Sequence, residues 1–102
     1  MFEYSSVVNV DLETATEFAL EQNYPNPFNP STKISYSIPK ASNVKLTVFN
    51  LLGQEIQVLV NETKEAGIHE INFNAQSLNS GMYLYKIESG SFTQTKKMTL
   101  IK

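Results

Sequence analysis

From Thr32 onward, apolar and polar residues alternate with period two in almost every run, the signature of strands buried on one face. In "TKISYSIP" the apolar set is Ile34, Tyr36 and Ile38, and Pro39 ends the ladder because it has no N–H to donate. "NVKLTVFN" places Val44, Leu46 and Val48 on one face, and "EIQVLV" does the same with Ile56, Val58 and Val60. "NLLGQ" between them supplies a turn around Gly53, so the two runs read as a hairpin. "KEAGIHEINFNA" turns at Gly67 and carries Ile71 and Phe73 inward. "LNSGMYLYKIE" turns over residues 79–81 and then alternates Tyr83, Tyr85 and Ile87. Ser89 and Gly90 fit a two-residue hairpin connection. The last run, "SFTQTKKMTLIK", predicts Phe92, Met98 and Leu100 inward, with Thr93, Thr95 and Lys97 outward.

These are six strands at intervals of about ten residues, and "EFALEQ" offers a seventh around Phe18 and Leu20. Nothing repeats at helical spacing. The pattern predicts an all-β chain: a single immunoglobulin-like antiparallel β-sandwich of about seven strands. We place this domain at residues 18–102. Residues 1–17 read as a linker, or as a remnant strand of an upstream fibronectin III-like module: "FEYSSVVNV" has no evident partner, and "DLETATE" is polar and acidic.

One run breaks the alternation. "QNYPNPFNPST" (residues 22–32) packs three prolines between asparagines, and proline restricts the residue before it to extended or turn backbone. Pro25, Asn26, Pro27, Phe28, Asn29 and Pro30 therefore form a stiff cap that sets how the chain enters its first long strand. Tyr24 and Phe28 lie where no ladder forces them inward. They either staple the cap to the sandwich edge or stack on a sugar. The staple is favoured, since a glycan platform usually needs several coplanar aromatics and tryptophan is absent.

Composition narrows the chemistry. With 102 residues the chain supports one small core. It has no cysteine, which excludes disulfides, thiolate metal sites and cysteine nucleophiles. All eight basic residues are lysines, so the bidentate arginine fork for phosphate or guanine is missing and no nucleic-acid partner is expected. Charge is uneven: Glu3, Asp11, Glu13, Glu17 and Glu21 precede the first base, Lys33. After Glu88 there are no acids, and Lys96, Lys97 and Lys102 mark the end of the chain. No run is apolar for the length of a membrane span, so no transmembrane segment is expected. The one histidine, His69, alternates with Ile71 and Phe73 and reads as a packing residue. The acids are scattered singly, the glycines sit alone at turns, and the "NET" at Asn61 is a short pattern common by chance. Asparagines of the proline-rich loop offer oxygens to calcium, but no acidic loop accompanies them. The expectation is a non-catalytic domain with no cofactor and no metal.

Four stretches in order, "LEQNYPNPFNPSTKISYSIP", "VKLTVFNLLGQEI", "AGIHEINFNAQSLNSGMYLYKI" and "TKKMTLIK", resemble the type A C-terminal sorting domain of the bacterial type IX secretion system. The resemblance covers about Phe18 to Lys102. By that likeness the sorting motifs are the Pro25-to-Pro30 run, the turn with Gly53 and Gln54, the strand start with Gly81 and Tyr83, and the end with Lys96, Lys97, Met98, Leu100 and Lys102. It implies a module at the end of a larger cargo protein, passing through the periplasm and then secreted or held at the cell surface. The implied partners are the type IX secretion machinery (an outer-membrane translocon and shuttle protein, and a sortase-like protease) and upstream cargo domains of the same chain. It also implies cleavage of the domain or anchoring of the cargo.

Physically, Gly53 and Gly81 serve turns at positive φ, and Tyr83 and Tyr85 fill the core. Residues 93–102 are expected to form an exposed edge able to pair with a receptor strand, with Lys96 and Lys97 facing water for steering and Met98, Leu100 and Ile101 giving apolar grip. Two alternatives stand beside this reading. One is a structural immunoglobulin-like domain similar to that of flagellar hook-capping proteins; the other is a carbohydrate-binding appendage.

Overall fold

The computed structural model describes residues 17–102. The strand expected in "FEYSSVVNV", and the linker reading of the residues before Glu17, fall outside the described residues. Among the described residues seven strands form two antiparallel sheets. They are β1 (Ala19–Leu20), β2 (Ser31–Ile38), β3 (Ser42–Asn50), β4 (Glu55–Lys64), β5 (Gly67–Asn74), β6 (Gly81–Ser89) and β7 (Phe92–Leu100). One sheet runs β1-β2-β5, the other β4-β3-β6-β7. The expected all-β, immunoglobulin-like sandwich is observed, with β1 as the short additional strand near Phe18.

The two inner faces meet in one core. β2 contributes Ile34, Tyr36 and Ile38, β3 contributes Val44, Leu46 and Val48, and β6 contributes Tyr83, Tyr85 and Ile87, all buried. Each set is an every-other-residue set because successive side chains of a strand point to opposite faces. Phe73 of β5 and Met98 and Leu100 of β7 complete the layer. His69 is paired with Tyr36 and its ring stacks on the tyrosine at 5.4 Å, while Nε2 lies 2.7 Å from the Glu65 carbonyl. It is a packing residue near the rim.

Three expectations need correction. The first concerns β4. Val60 is buried beside Leu46, but Ile56 and Val58 are exposed rather than inward. The β3–β4 register shifts between Leu46 and Thr47 and again between Val48 and Phe49, leaving Leu59 and Ile56 without partners. Each extra residue reverses the alternation, so Val58 comes to lie opposite Thr47 on the outer side. β4 is an edge strand, where bulges of this kind discourage further pairing.

The second concerns the last hairpin. Its two-residue connection is Gly90 and Ser91, one position later than expected, with Ser89 buried and paired to Phe92. Gly90 takes φ +59, the conformation such tight turns require.

The third concerns Lys96. The β6–β7 ladder runs without a shift from Ser89↔Phe92 to Gly81↔Leu100. Two adjacent lysines in an unbulged strand point to opposite faces of the sheet. Lys97 is exposed, whereas Lys96 shares the inward side with Met98 and Leu100 and is half-buried.

Candidate functional site

The proline-rich run is a seam. After β1 the chain leaves its sheet and closes one open side of the sandwich, bonding to β2 in one layer and β7 in the other. Prolines offer only carbonyls, so the residues between them supply the amide donors. Tyr24 N–H donates to the Lys33 carbonyl at 3.0 Å, and Lys33 N–H returns a bond of 3.0 Å to the Tyr24 carbonyl. Four residues on, Phe28 N–H donates to the Thr99 carbonyl at 2.9 Å, and Ile101 N–H donates to the Phe28 carbonyl at 2.9 Å. This is a one-residue parallel bridge of Phe28 to Leu100. The peptide bonds preceding Pro25, Pro27 and Pro30 are all cis.

Side chains lock the seam from within. Asn23 is buried, and its Nδ2 donates to the Pro25 carbonyl and to Thr32 Oγ1, both at 3.0 Å. Thr32 Oγ1 donates to the same Pro25 carbonyl at 2.9 Å. Asn26 Oδ1 accepts Thr99 N–H at 3.0 Å, and Gln22 Nε2 donates to the Lys97 carbonyl at 2.7 Å. From the core, the Tyr85 hydroxyl accepts Asn23 N–H at 2.8 Å and donates to the Glu21 carbonyl at 2.7 Å. Phe28 points inward, 1% exposed, with its ring 6.1 Å from that of Phe73.

The aromatic pair therefore divides. Phe28 is the expected staple, and its burial removes it from any sugar platform. Tyr24 is not a staple: its backbone is tied down but its side chain is 82% exposed. The ring borders a shallow depression of about 320 Å³ lined by Tyr24, Pro25, Ser31, Thr32, Lys33 and Asn72.

Tyr85 carries a pH consequence. Burial first of all, and the nearby Glu21 charge, push its hydroxyl up to about 12, against the opposing bond from Asn23. Burial also raises Tyr36. The folded state thus holds these protons more tightly than the unfolded chain, whose tyrosines titrate near about 10. The Tyr85 contribution is complete below about pH 10 and is lost as pH rises from about 10 towards about 12. Tyr85→Phe leaves Asn23 N–H and the Glu21 carbonyl without their partner. The expected loss is about 1–3 kcal/mol in urea unfolding at neutral pH. The same variant should lose part of the wild-type decline above pH 10. An unchanged urea midpoint would refute the anchoring role.

The other sequence-selected residues divide into structural parts and surface. Gly53 has φ +84 in the β3–β4 turn and Gly81 has φ +150 at the start of β6. A Cβ would meet no atom within 4 Å at either position, so the need for glycine is conformational. In the turn, Asn50 Oδ1 accepts Leu52 and Gln54 N–H at 2.9 Å each, and Asn50 Nδ2 donates to Gln54 Oε1 at 2.7 Å. Leu51 and Leu52 project into solvent from this turn. Tyr83 is buried with its hydroxyl donating to the Asn79 carbonyl at 2.7 Å. Met98 and Leu100 are core. Pro25, Asn26, Pro27 and Asn29 are exposed, and Pro30 is half-buried. Lys102 closes the chain, its N–H donating to Ser80 Oγ at 3.1 Å and its Nζ to the Gln76 carbonyl at 2.5 Å.

Register brings the separated stretches to one end of the four-stranded sheet. Asn50 pairs with Tyr83, Tyr83 with Met98, Gly81 with Leu100, and Leu100 with Phe28. The glycine turn, the β6 start, the chain end and the proline-rich seam therefore adjoin. Sequence reasoning missed this convergence, and it missed Gln22, Asn23, Thr32 and Tyr85 as the posts that hold the seam. β7 is an edge strand, as expected, but its edge is not open throughout. The seam bonds to it at Lys97, Thr99 and Ile101, and β1 lies close beside it; among the described residues the seam makes no bond to the Thr93-to-Lys96 part.

Fold and seam define an immunoglobulin-like β-sandwich whose terminal strand is clasped by a proline-rich segment from the start of the domain. The sequence model of the secretion system C-terminal sorting domain matches residues 22–102, and the chain belongs to that family. It is a C-terminal secretion signal for type IX secretion, an exported domain of the cell surface, as the sequence resemblance implied. A solved structure of PorZ from Porphyromonas gingivalis, described as an essential bacterial surface component of the type-IX secretion system, is similar in fold. The TM-score is 0.57 at 16% identity over 87% of this chain, and the likeness spans 12% of the PorZ chain. No curated protein sequence matches the chain.

Proposed function

We propose that the domain works as a non-catalytic address, recognised directly by the outer-membrane translocation machinery while its cargo waits in the periplasm. The contact surface is the terminal ribbon, residues 93–102. The observation that carries this reading is the arrangement of β7: an edge strand with a Thr93-to-Lys96 stretch that the seam does not bond, an exposed Lys97, and a half-exposed Ile101. Among the described residues no ion pair includes Lys96 or Lys97; the pairs are Lys33–Glu70, Lys64–Glu62 and Lys86–Glu88. Such a basic edge favours a partner surface carrying carboxylates. The partners in this scheme are the translocon and its shuttle protein, then a sortase-like protease that removes the domain or anchors the cargo. Upstream cargo belongs to the same chain, with the residues before about position 18 as its connection.

The direct test is sufficiency. A periplasm-targeted fluorescent reporter fused to residues 17–102, in a host with type IX secretion, should appear at the cell surface or in the medium. The unfused reporter should stay in the periplasm. Equal periplasmic retention of both would refute the reading.

A further inference from the structure

We propose that the machinery grips the seam and the terminal ribbon together, so that the recognised surface is the narrow edge of the sandwich rather than the last strand alone. The inference rests on the address reading above and specifies its partner surface. Four observations support it. The seam segment is bonded along β7 at Lys97, Thr99 and Ile101, so nothing can approach this part of the ribbon without touching the seam. Its backbone is held by Asn23, Thr32 and Tyr85, which makes the exposed Pro25, Asn26 and Pro27 a rigid ridge. Rigid surfaces lose little freedom on binding.

Large apolar side chains are left in water on both flanks of the ridge. Tyr24, 82% exposed, stands on the flank bonded to β2, and Ile101, 50% exposed, on the flank formed by β7. The core uses neither ring nor aliphatic tip. Exposed aromatic anchors of this kind dominate protein interfaces. The fourth observation is charge. Residues 22–32 carry none, and the ribbon beside them carries Lys97 with no acid after Glu88.

The occupant that fits is a protein cleft. Its walls would carry an apolar recess for Tyr24 on one side and, on the other, an apolar site for Ile101 with a carboxylate near Lys97. Only the folded sandwich brings the two flanks together, since they come from opposite ends of the domain sequence. A bare protective role for the seam, covering a sheet edge against aggregation, is the competing outcome.

The test uses the whole 102-residue chain fused to the reporter, with the surface-to-periplasm ratio measured alongside the melting temperature of each purified variant. Tyr24→Ser and Ile101→Ser should each lower the ratio about fivefold or more at unchanged melting. Ile68→Ser removes a comparably exposed apolar group (58%) opposite Ser37, away from the seam, and should export like the wild type. If Tyr24→Ser exports normally while Ile101→Ser and Lys97→Glu are retained, the ribbon alone is read and the grip on the seam is overturned. If all three variants export normally, neither seam nor ribbon is gripped and this proposal is overturned, even where residues 17–102 suffice for export. An equal loss in Ile68→Ser would overturn the seam as the specific surface.

Discussion

Phe28→Ala is expected to destabilise the domain by about 3–5 kcal/mol, although Phe28 belongs to no long strand. The side chain is 1% exposed, and it packs in the layer that holds Phe73, Met98 and Leu100. Deleting it removes a buried ring and leaves a cavity between the two sheets. A rigid seam, bonded on both sides, cannot collapse to fill that space. Small domains hold only about 5–15 kcal/mol in total, so a large part of the stability disappears. Urea unfolding followed by tyrosine fluorescence and circular dichroism reads the loss. A change below about 1 kcal/mol would mean that the seam is a surface ornament. Pro27→Ala, on the exposed ridge, should cost far less in the same measurement.

The strand-level architecture was legible because one face of each long strand is buried and period two exposes that face. β2 and β6 show this in unbroken alternation, while β3 also buries Thr47 between Leu46 and Val48. The failures have local causes. At β4 the apolar set continues at period two straight through Ile56 and Val58, and nothing in the residues marks the two bulges that turn them outward. Such bulges depend on where an edge strand must bend against its neighbour. At Lys96 the alternation was sound, but two adjacent lysines suggested a solvated pair where the pleat allows only one outward side chain. The candidate site was half legible. Each motif was visible, and the glycines at positive φ and the buried tyrosines followed from local chemistry. Their meeting was not visible, because register between β3, β6, β7 and the seam is set by sheet order over some seventy residues of separation, as between Gln22 and Lys97. Asn23 and Tyr85 were invisible for a related reason: a polar residue in a proline-rich loop and a core tyrosine become a pair only when both sheets are in place.

Reversal of charge at Lys97 is the second large effect expected, this time on transport. Deleting residues 93–102 is too blunt for the purpose, because it strips Met98 and Leu100 from the core and takes away the partner of Phe28. A loss of export would then report unfolding as readily as a missing address. Lys96 is half-buried and carries the same ambiguity. Lys97 is free of it: the side chain is exposed, and the bond to the seam uses only its carbonyl. Charges at an interface rim act on encounter and partner choice, so Lys97→Glu should reduce export about threefold or more without touching the fold. The decisive measurement is the surface-to-periplasm ratio of the reporter fused to Lys97→Glu, taken with the melting temperature of the same protein. Retention in the periplasm at unchanged melting is the predicted result; wild-type export at unchanged melting would contradict direct recognition of the terminal ribbon.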